Sequence, residues 1–182
     1  GIDFYNIPTT VLSQVDSSVG GKVAIDMGSY KNIVGAFWQP KTVIIDPNVL
    51  STLSLRQQHN GLCEALKMGL ILDDHLVSLF EQDTLDIDTI ITRSIELKRD
   101  VVQQDERESN LRKILNFGHT IGHAIESAYG LNTYLHGECV AMGMLFFIED
   151  KTLKQRVLNI YKKLDLPQVP DYDTATLLEY VT

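Results

Sequence analysis

The sequence is poor in the residues that would tie it to several large classes of protein. It has two cysteines in 182 residues, Cys63 and Cys139, too few for a disulfide framework. A reducing, cytoplasmic setting is the default for such a chain. No apolar run reaches the roughly 18 residues of a membrane helix, and no signal peptide is visible. Bases are outnumbered, with 16 Lys and Arg against 24 Asp and Glu and a net charge of −8. That argues against nucleic acid as a partner, since a binding surface for it would need a basic patch. A phosphate-bearing small molecule stays open, because it needs only a few local cations. The sequence holds no G-x-G-x-x-G and no G-x-x-x-x-G-K-[ST], so neither nucleotide-binding fingerprint is present.

What is there can bury a core: 44% of residues are hydrophobic and 22% charged, enough for one sizeable domain or parts of two. The chain opens on Gly1 in what reads as mid-domain sequence. It closes on "TATLLEYVT", a helical start without a stop signal, so it reads as part of something longer. "IPTTVLSQVDSSVGG" predicts a helix capped by Thr9 or Thr10 and ended by Gly20-Gly21. "KVAID", "NIVGAFW" and "KTVIID" are short, β-branched and read as strands. From Ser54 onward the 3.6-residue period dominates. It predicts helices over 54–72, 74–82, 87–108, 111–129, 136–151, 153–164 and from 174 on. The boundary between an α/β part and a helical part falls near residues 47–53.

"NFGHTIGHAIE" (116–126) sets two histidines four apart, His119 and His123, the spacing of a metal-binding helical pair. At about 100° per residue from Arg112, Asn116, His119, His123 and Glu126 fall within about 40° of it. Ile114, Phe117, Ile121, Ala124, Ile125 and Ala128 take the opposite face. A solvated helix face is usually Glu and Lys, whereas this one is Arg, Asn and His. Gly118 and Gly122 inside a helix each cost about 1 kcal/mol against Ala, which points to something packing or binding close to the backbone. His136 opens the next helix, within reach of a shared metal site.

A catalytic zinc needs about three protein ligands. Glu64, Glu138, Cys139 and Cys63 are candidates for the third. Glu64 sits in the apolar "GLCEALKMG", where a carboxylate is expensive unless paired or metal-bound; a plain Glu64–Lys67 pair is the bland alternative. The cysteines read as small buried residues. "VDSSVGGK" can cradle an anion with Lys22 or merely end a helix. Lys31 and Asn32 precede a strand in a polar turn, Asp16 and Lys98 read as solvated, and His59 and His75 as surface histidines.

Taken together, "PTT…QVDSSVGGK…KNIVGAF", "GLCEALK", "LRKILNFGHTIGHAIES" and "LHGECVAMGM" closely resemble the 3-dehydroquinate synthase family, from Ile7 to about Leu166. The resemblance implies an α/β plus all-α fold. Residues 1–50 would be the tail end of a Rossmann-like NAD domain, and 51–182 a multi-helical metal- and substrate-binding domain, incomplete at its C-terminus. It implies a phosphate-eliminating lyase of the shikimate pathway, which turns a heptulosonate phosphate (DAHP) into 3-dehydroquinate and phosphate. The route is NAD-dependent oxidation, phosphate elimination, reduction and intramolecular aldol closure. It implies NAD, one divalent metal (zinc or cobalt) and a homodimer.

Carried over residue by residue, the metal ligands are Glu64, His119 and His136, while His123 contacts substrate. Asp16, Lys22, Asn32, Lys67, Lys98, Arg112 and Asn116 surround the substrate. Thr9, Thr10, Lys22, Lys31, Val49, Leu50, Ser51 and Thr52 match NAD-contacting positions. Against the family pattern, Val23 stands where Thr is common, Tyr30 where Gly is common, and Cys63 and Cys139 where Ala is usual. The family's Gly-rich turn, a further lysine and an arginine lent by the partner subunit have no match in these residues, so the 182 residues alone are expected to be inactive. The rival readings are a sister sugar-phosphate cyclase, a metal-dependent polyol dehydrogenase and a non-catalytic helical module.

Overall fold

A computed structural model describes residues 1–27, 30–130, 133–168 and 180. Its strands are few and short. β1 (Tyr5–Asn6) pairs in parallel with β4 (Thr42–Val43). β2 (Lys22–Met27) and β3 (Tyr30–Phe37) form an antiparallel hairpin with Lys22 opposite Phe37 and Ile25 opposite Val34. The β-branched run of the hairpin suits a pleated ladder. "KTVIID" is thinner than its pattern predicts, since only Thr42 and Val43 find a partner strand. The expected first helix is a turn followed by a π-helical segment, Ser13–Ser17. Thr10 caps the turn at Val11 and Leu12 that leads into it, its hydroxyl accepting from the Ser13 N–H at 3.2 Å.

Six α-helices make up most of the remaining described residues. α1 (Leu55–Leu72), α2 (Asp74–Glu81) and α3 (Ile87–Gln104) come first. α4 (His119–Tyr129), α5 (His136–Leu145) and α6 (Lys151–Lys163) follow. Asp73, Asp86 and Asp150 each accept a first-turn N–H, at 3.0, 3.1 and 2.7 Å, the usual device for an exposed helix start. α1 is the hub. Leu62, Cys63, Ala65, Leu66 and Met68 are buried among Phe80, Ile90, Val140, Met144 and Tyr161. The buried Tyr161 hydroxyl donates to the Ala141 carbonyl at 2.7 Å, as a phenol in a core must. Among the described residues no helix is long and apolar enough to cross a membrane.

Three expectations need correction. The helix predicted over 87–108 stops at Gln104, because Asp105 folds the chain back by accepting the N–H groups of Ser109, Asn110 and Arg112. The helix predicted over 136–151 stops at Leu145. The helix predicted over 111–129 is two pieces, a 3₁₀ segment Leu111–Asn116 and α4, parted by Phe117 and Gly118. Gly118 has φ +77°, a left-handed value that glycine adopts without strain. An added Cβ there would sit 2.6 Å from Met144 Cγ. At Gly122 it would meet the Cys139 and Val140 backbone at 3.1 Å. What packs close at both glycines is therefore α5. The helix expected from 174 onward lies outside the described residues.

Candidate metal centre

Glu64 lies on the buried side of α1, fully enclosed. Its Oε2 pairs with Lys67 Nζ one turn on, and Lys67 is itself buried. Its Oε1 has no hydrogen-bond partner. That oxygen instead faces two imidazole nitrogens, His136 Nε2 at 3.5 Å and His119 Nε2 at 3.7 Å. With no hydrogen bond formed by Oε1, these separations fit ligand atoms arranged around a shared cation. Burial opposes ionisation of Glu64, but Lys67 and then the two histidines outweigh it and hold its pKa well below the usual carboxylate range.

The histidines arrive from two helices. His119 is the first residue of α4 and His136 the first of α5. His119 sits with its Nδ1 3.2 Å from the Phe117 carbonyl. Burial, only partly offset by Glu64, lowers its pKa to about 4, so it stands as neutral imidazole. His136 has Nδ1 3.4 Å from Glu126 Oε2. Burial would lower its pKa, yet Glu126 and Glu64 carry it up to about 9. His123, one turn beyond His119, is exposed. Its ring centroid lies 5.3 Å from that of His119 and 5.8 Å from that of His136. Nitrogens of all three imidazoles fall within 4.8 Å of one another. Two triads therefore share this space: three histidines, or Glu64 with His119 and His136. The second contains the fully buried, unpartnered oxygen. A buried carboxylate with two imidazoles matches the three protein ligands of a catalytic zinc or cobalt site, so the residues present fit such a metal.

A second ion pair, of a buried lysine and a half-buried aspartate, adjoins the first. Lys98, on α3, is 5% exposed and donates to Asp16 Oδ1 at 2.8 Å and to the Asp16 carbonyl. The sequence pattern left both residues solvated; burial of this face of α3 against the Ser13–Ser17 segment overturns that. Burial is the largest influence on Lys98 and pulls its pKa below the usual lysine value. For Lys67 burial acts in the same sense, but Glu64 and Asp16 outweigh it and raise the pKa.

The loop after α3 supplies the rest. Arg112 is buried, donates to the Glu106 carbonyl at 2.6 Å, and stands 5.9 Å from the centre of the Phe37 ring. A Cβ on Gly20 would collide with the Arg112 guanidinium, and one on Gly21 with the Gln39 amide, so of the double glycine before Lys22 it is Gly20 that clears room for the arginine. Glu108 was missed by sequence reasoning. Its carboxylate pairs with Lys22 and accepts from Asn116 Nδ2 at 3.0 Å. Its left-handed φ of 57° and its place four residues before Arg112 carried no recognisable signal.

Other candidates fall elsewhere. Glu138 forms a bidentate pair with Arg56, both bonds 2.7 Å, and accepts from the Leu135 N–H at 2.8 Å; that set of bonds makes it a helix cap, not a ligand. Cys63 and Cys139 are buried, and burial pushes the Cys63 thiol well above its usual pKa. Thr9 is exposed, and Val49, Leu50, Ser51 and Thr52 lie on a 3₁₀ turn, Pro47–Thr52. The side chains of Lys31 and Asn32 lie outside the described residues; their backbone runs in β3.

Residues 61–182 match the family model 3-dehydroquinate synthase C-terminal, and residues 1–60 match 3-dehydroquinate synthase N-terminal. The 3-dehydroquinate synthase of Caldanaerobacter subterraneus subsp. tengcongensis is 50% identical across 95% of this chain and 52% of its own. That of Geotalea uraniireducens is 44% identical across 100% and 55%. The chain thus spans about half the length of the curated relatives it matches. Among solved structures, ValA, the 2-epi-5-epi-valiolone synthase from Streptomyces hygroscopicus subsp. jinggangensis with NAD+ and Zn2+ bound, superposes with TM-score 0.87 at 28% identity. That match covers 98% of this chain and 56% of the other. A 2-deoxy-scyllo-inosose synthase complexed with carbaglucose-6-phosphate, NAD+ and Co2+ gives TM-score 0.83 at 29% identity, covering 100% and 54%.

Proposed function

The chain belongs to the 3-dehydroquinate synthase family, and from that premise we propose that it forms the metal- and substrate-binding part of an enzyme converting DAHP to 3-dehydroquinate and phosphate. The observation that carries this reading is the buried, unpartnered Glu64 Oε1 facing His119 and His136. Glu64, His119 and His136 would hold one zinc or cobalt ion. When bound, the metal supplies Lewis acidity toward a substrate hydroxyl, and NAD takes up and returns a hydride. The two structural neighbours with NAD+ and Zn2+ or Co2+ bound support this cofactor pair.

The chain's own residues do the rest. Lys22, Lys98 and Arg112 supply positive charge for the substrate's carboxylate and phosphate, a matter of orientation and charge complementarity. Lys67 keeps Glu64 ionised, and Asp16 keeps Lys98 in place. Asn32 and Asn116 offer hydrogen bonds to substrate oxygens. His123, exposed beside the two metal-binding imidazoles, is the group placed to carry a proton. Thr9, Thr10, Lys22, Lys31 and the turn Val49–Thr52 form the edge that NAD would touch. Residues 1–50 would close a nucleotide-binding α/β domain, and 51–182 form the helical one. A cytoplasmic homodimer is the assembly this reading carries with it.

Sister cyclases share the fold at 28–30% identity, against 44–50% for the synthases, which favours the synthase. The test is phosphate release from DAHP by the protein encoded by the full reading frame, with metal, with and without NAD. NAD-dependent release is expected. Release from a different sugar phosphate, but not from DAHP, would move the assignment to a sister cyclase.

A further inference from the structure

Each of the two imidazoles facing Glu64 is turned by something behind it. For His119 the partner is backbone: the Phe117 carbonyl lies 3.2 Å from Nδ1, which leaves Nε2 toward Glu64. For His136 it is a side chain: Glu126 Oε2 lies 3.4 Å from Nδ1, while Nε2 faces Glu64 Oε1 at 3.5 Å. The two nitrogens of an imidazole point to opposite edges of the ring. A carboxylate fixed at one edge therefore selects the tautomer and aims the other. Glu126 is fixed. It is 8% exposed and lies on α4 seven residues after His119, two turns along the same face. His136 needs such a partner, because it is the first residue of α5 and its side chain is 29% exposed.

We propose that Glu126 is the positioning residue of the metal centre, holding His136 Nδ1–H so that Nε2 is presented to the metal. The inference rests on the reading that Glu64, His119 and His136 bind the ion. Glu126 itself touches the far edge of the ring and is not a ligand.

The test is Co2+ affinity and the visible Co2+ spectrum of the full-length protein, by competition with a chromophoric chelator, for wild type, Glu126→Ala, Glu126→Gln and Glu126→Asp. Loss of an outer partner of a ligating histidine costs about 10–100-fold in metal affinity. Glu126→Ala should weaken Co2+ binding by that factor and shift the Co2+ bands. Glu126→Gln keeps an acceptor for Nδ1–H and should recover much of the loss. Glu126→Asp keeps the charge but falls short of the ring, and should behave like Ala. A purely structural role would lower the melting temperature of metal-free Glu126→Gln and Glu126→Ala alike without this ordering. Wild-type affinity and spectrum in all three variants would overturn the inference and leave the metal reading standing. Absence of Co2+ binding in wild type would overturn both.

Discussion

Lys67 is 2% exposed and meets Glu64 within the core. A buried pair of this kind adds little net stability, because desolvation offsets the attraction, yet removing one partner strands a buried charge. Lys67→Met should therefore cost about 3–5 kcal/mol in the metal-free protein. Excess zinc should return part of that, since the ion supplies the missing positive charge beside Glu64. Denaturant unfolding with and without zinc measures both; equal stability of variant and wild type would contradict the buried-charge account. Glu64 was legible because a carboxylate in "GLCEALKMG" is costly without a partner. Lys98 was not, because Glu96, Arg99 and Asp100 around it read as surface, and only the packing of α3 on Asp16 reveals its burial. The i, i+4 spacing singled out His119 and His123, but spacing on one helix cannot say that His136, from another, faces Glu64. The family resemblance supplied that pairing before the geometry did.

At the scale of elements, the centre depends on α1 and α5 touching. The Gly137 N–H donates to Asn60 Oδ1 at 2.6 Å, and a Cβ at Gly137 would overlap the Asn60 carbonyl oxygen. Gly137→Ala must push α5 away from α1, costing about 1–3 kcal/mol or more of overpacking strain. It should also lower metal affinity, because Glu64 and His136 part company. Unchanged stability and affinity would show that this contact does not set the site. The loop that carries Arg112 hangs on Asp105, whose two oxygens accept from Ser109, Asn110 and Arg112 at 2.7–3.0 Å. Those bonds from Asn110 and Arg112, the largest influences, depress its pKa from an ordinary value of 3.8. A depressed carboxylate pKa contributes stability above about pH 4 that is lost as pH falls below it. Asp105→Asn should thus melt below wild type at pH 7, with the gap closing toward pH 2. A gap that stays constant with pH would contradict the charge-assisted loop. The break at Gly118 was illegible from periodicity, because Arg112 and Asn116 keep helical spacing from the histidines in the sequence although the chain turns between them. Gly118 and Gly122 were nonetheless the right signal that something packs against that backbone.

At the scale of the molecule, the helical majority was readable. The 3.6-residue period located α1, α2 and α6 to within two residues of the observed ends. The strands were harder, since "KTVIID" has the composition of a strand, but only two of its residues find a neighbour in β1. The site is assembled from segments as distant as Asp16 and His136, so its charges balance only in the folded chain: Glu64 and Asp16 against Lys67 and Lys98. The central claim is that the metal is held by Glu64, His119 and His136, with His123 serving the substrate and not the ion. It is tested most directly by metal content of the purified full-length protein in wild type, Glu64→Gln and His123→Ala, after dialysis against limiting zinc. The account predicts stoichiometric zinc in wild type and His123→Ala, and its loss in Glu64→Gln. Full zinc in Glu64→Gln together with loss in His123→Ala would contradict it and place the ion among the three histidines instead.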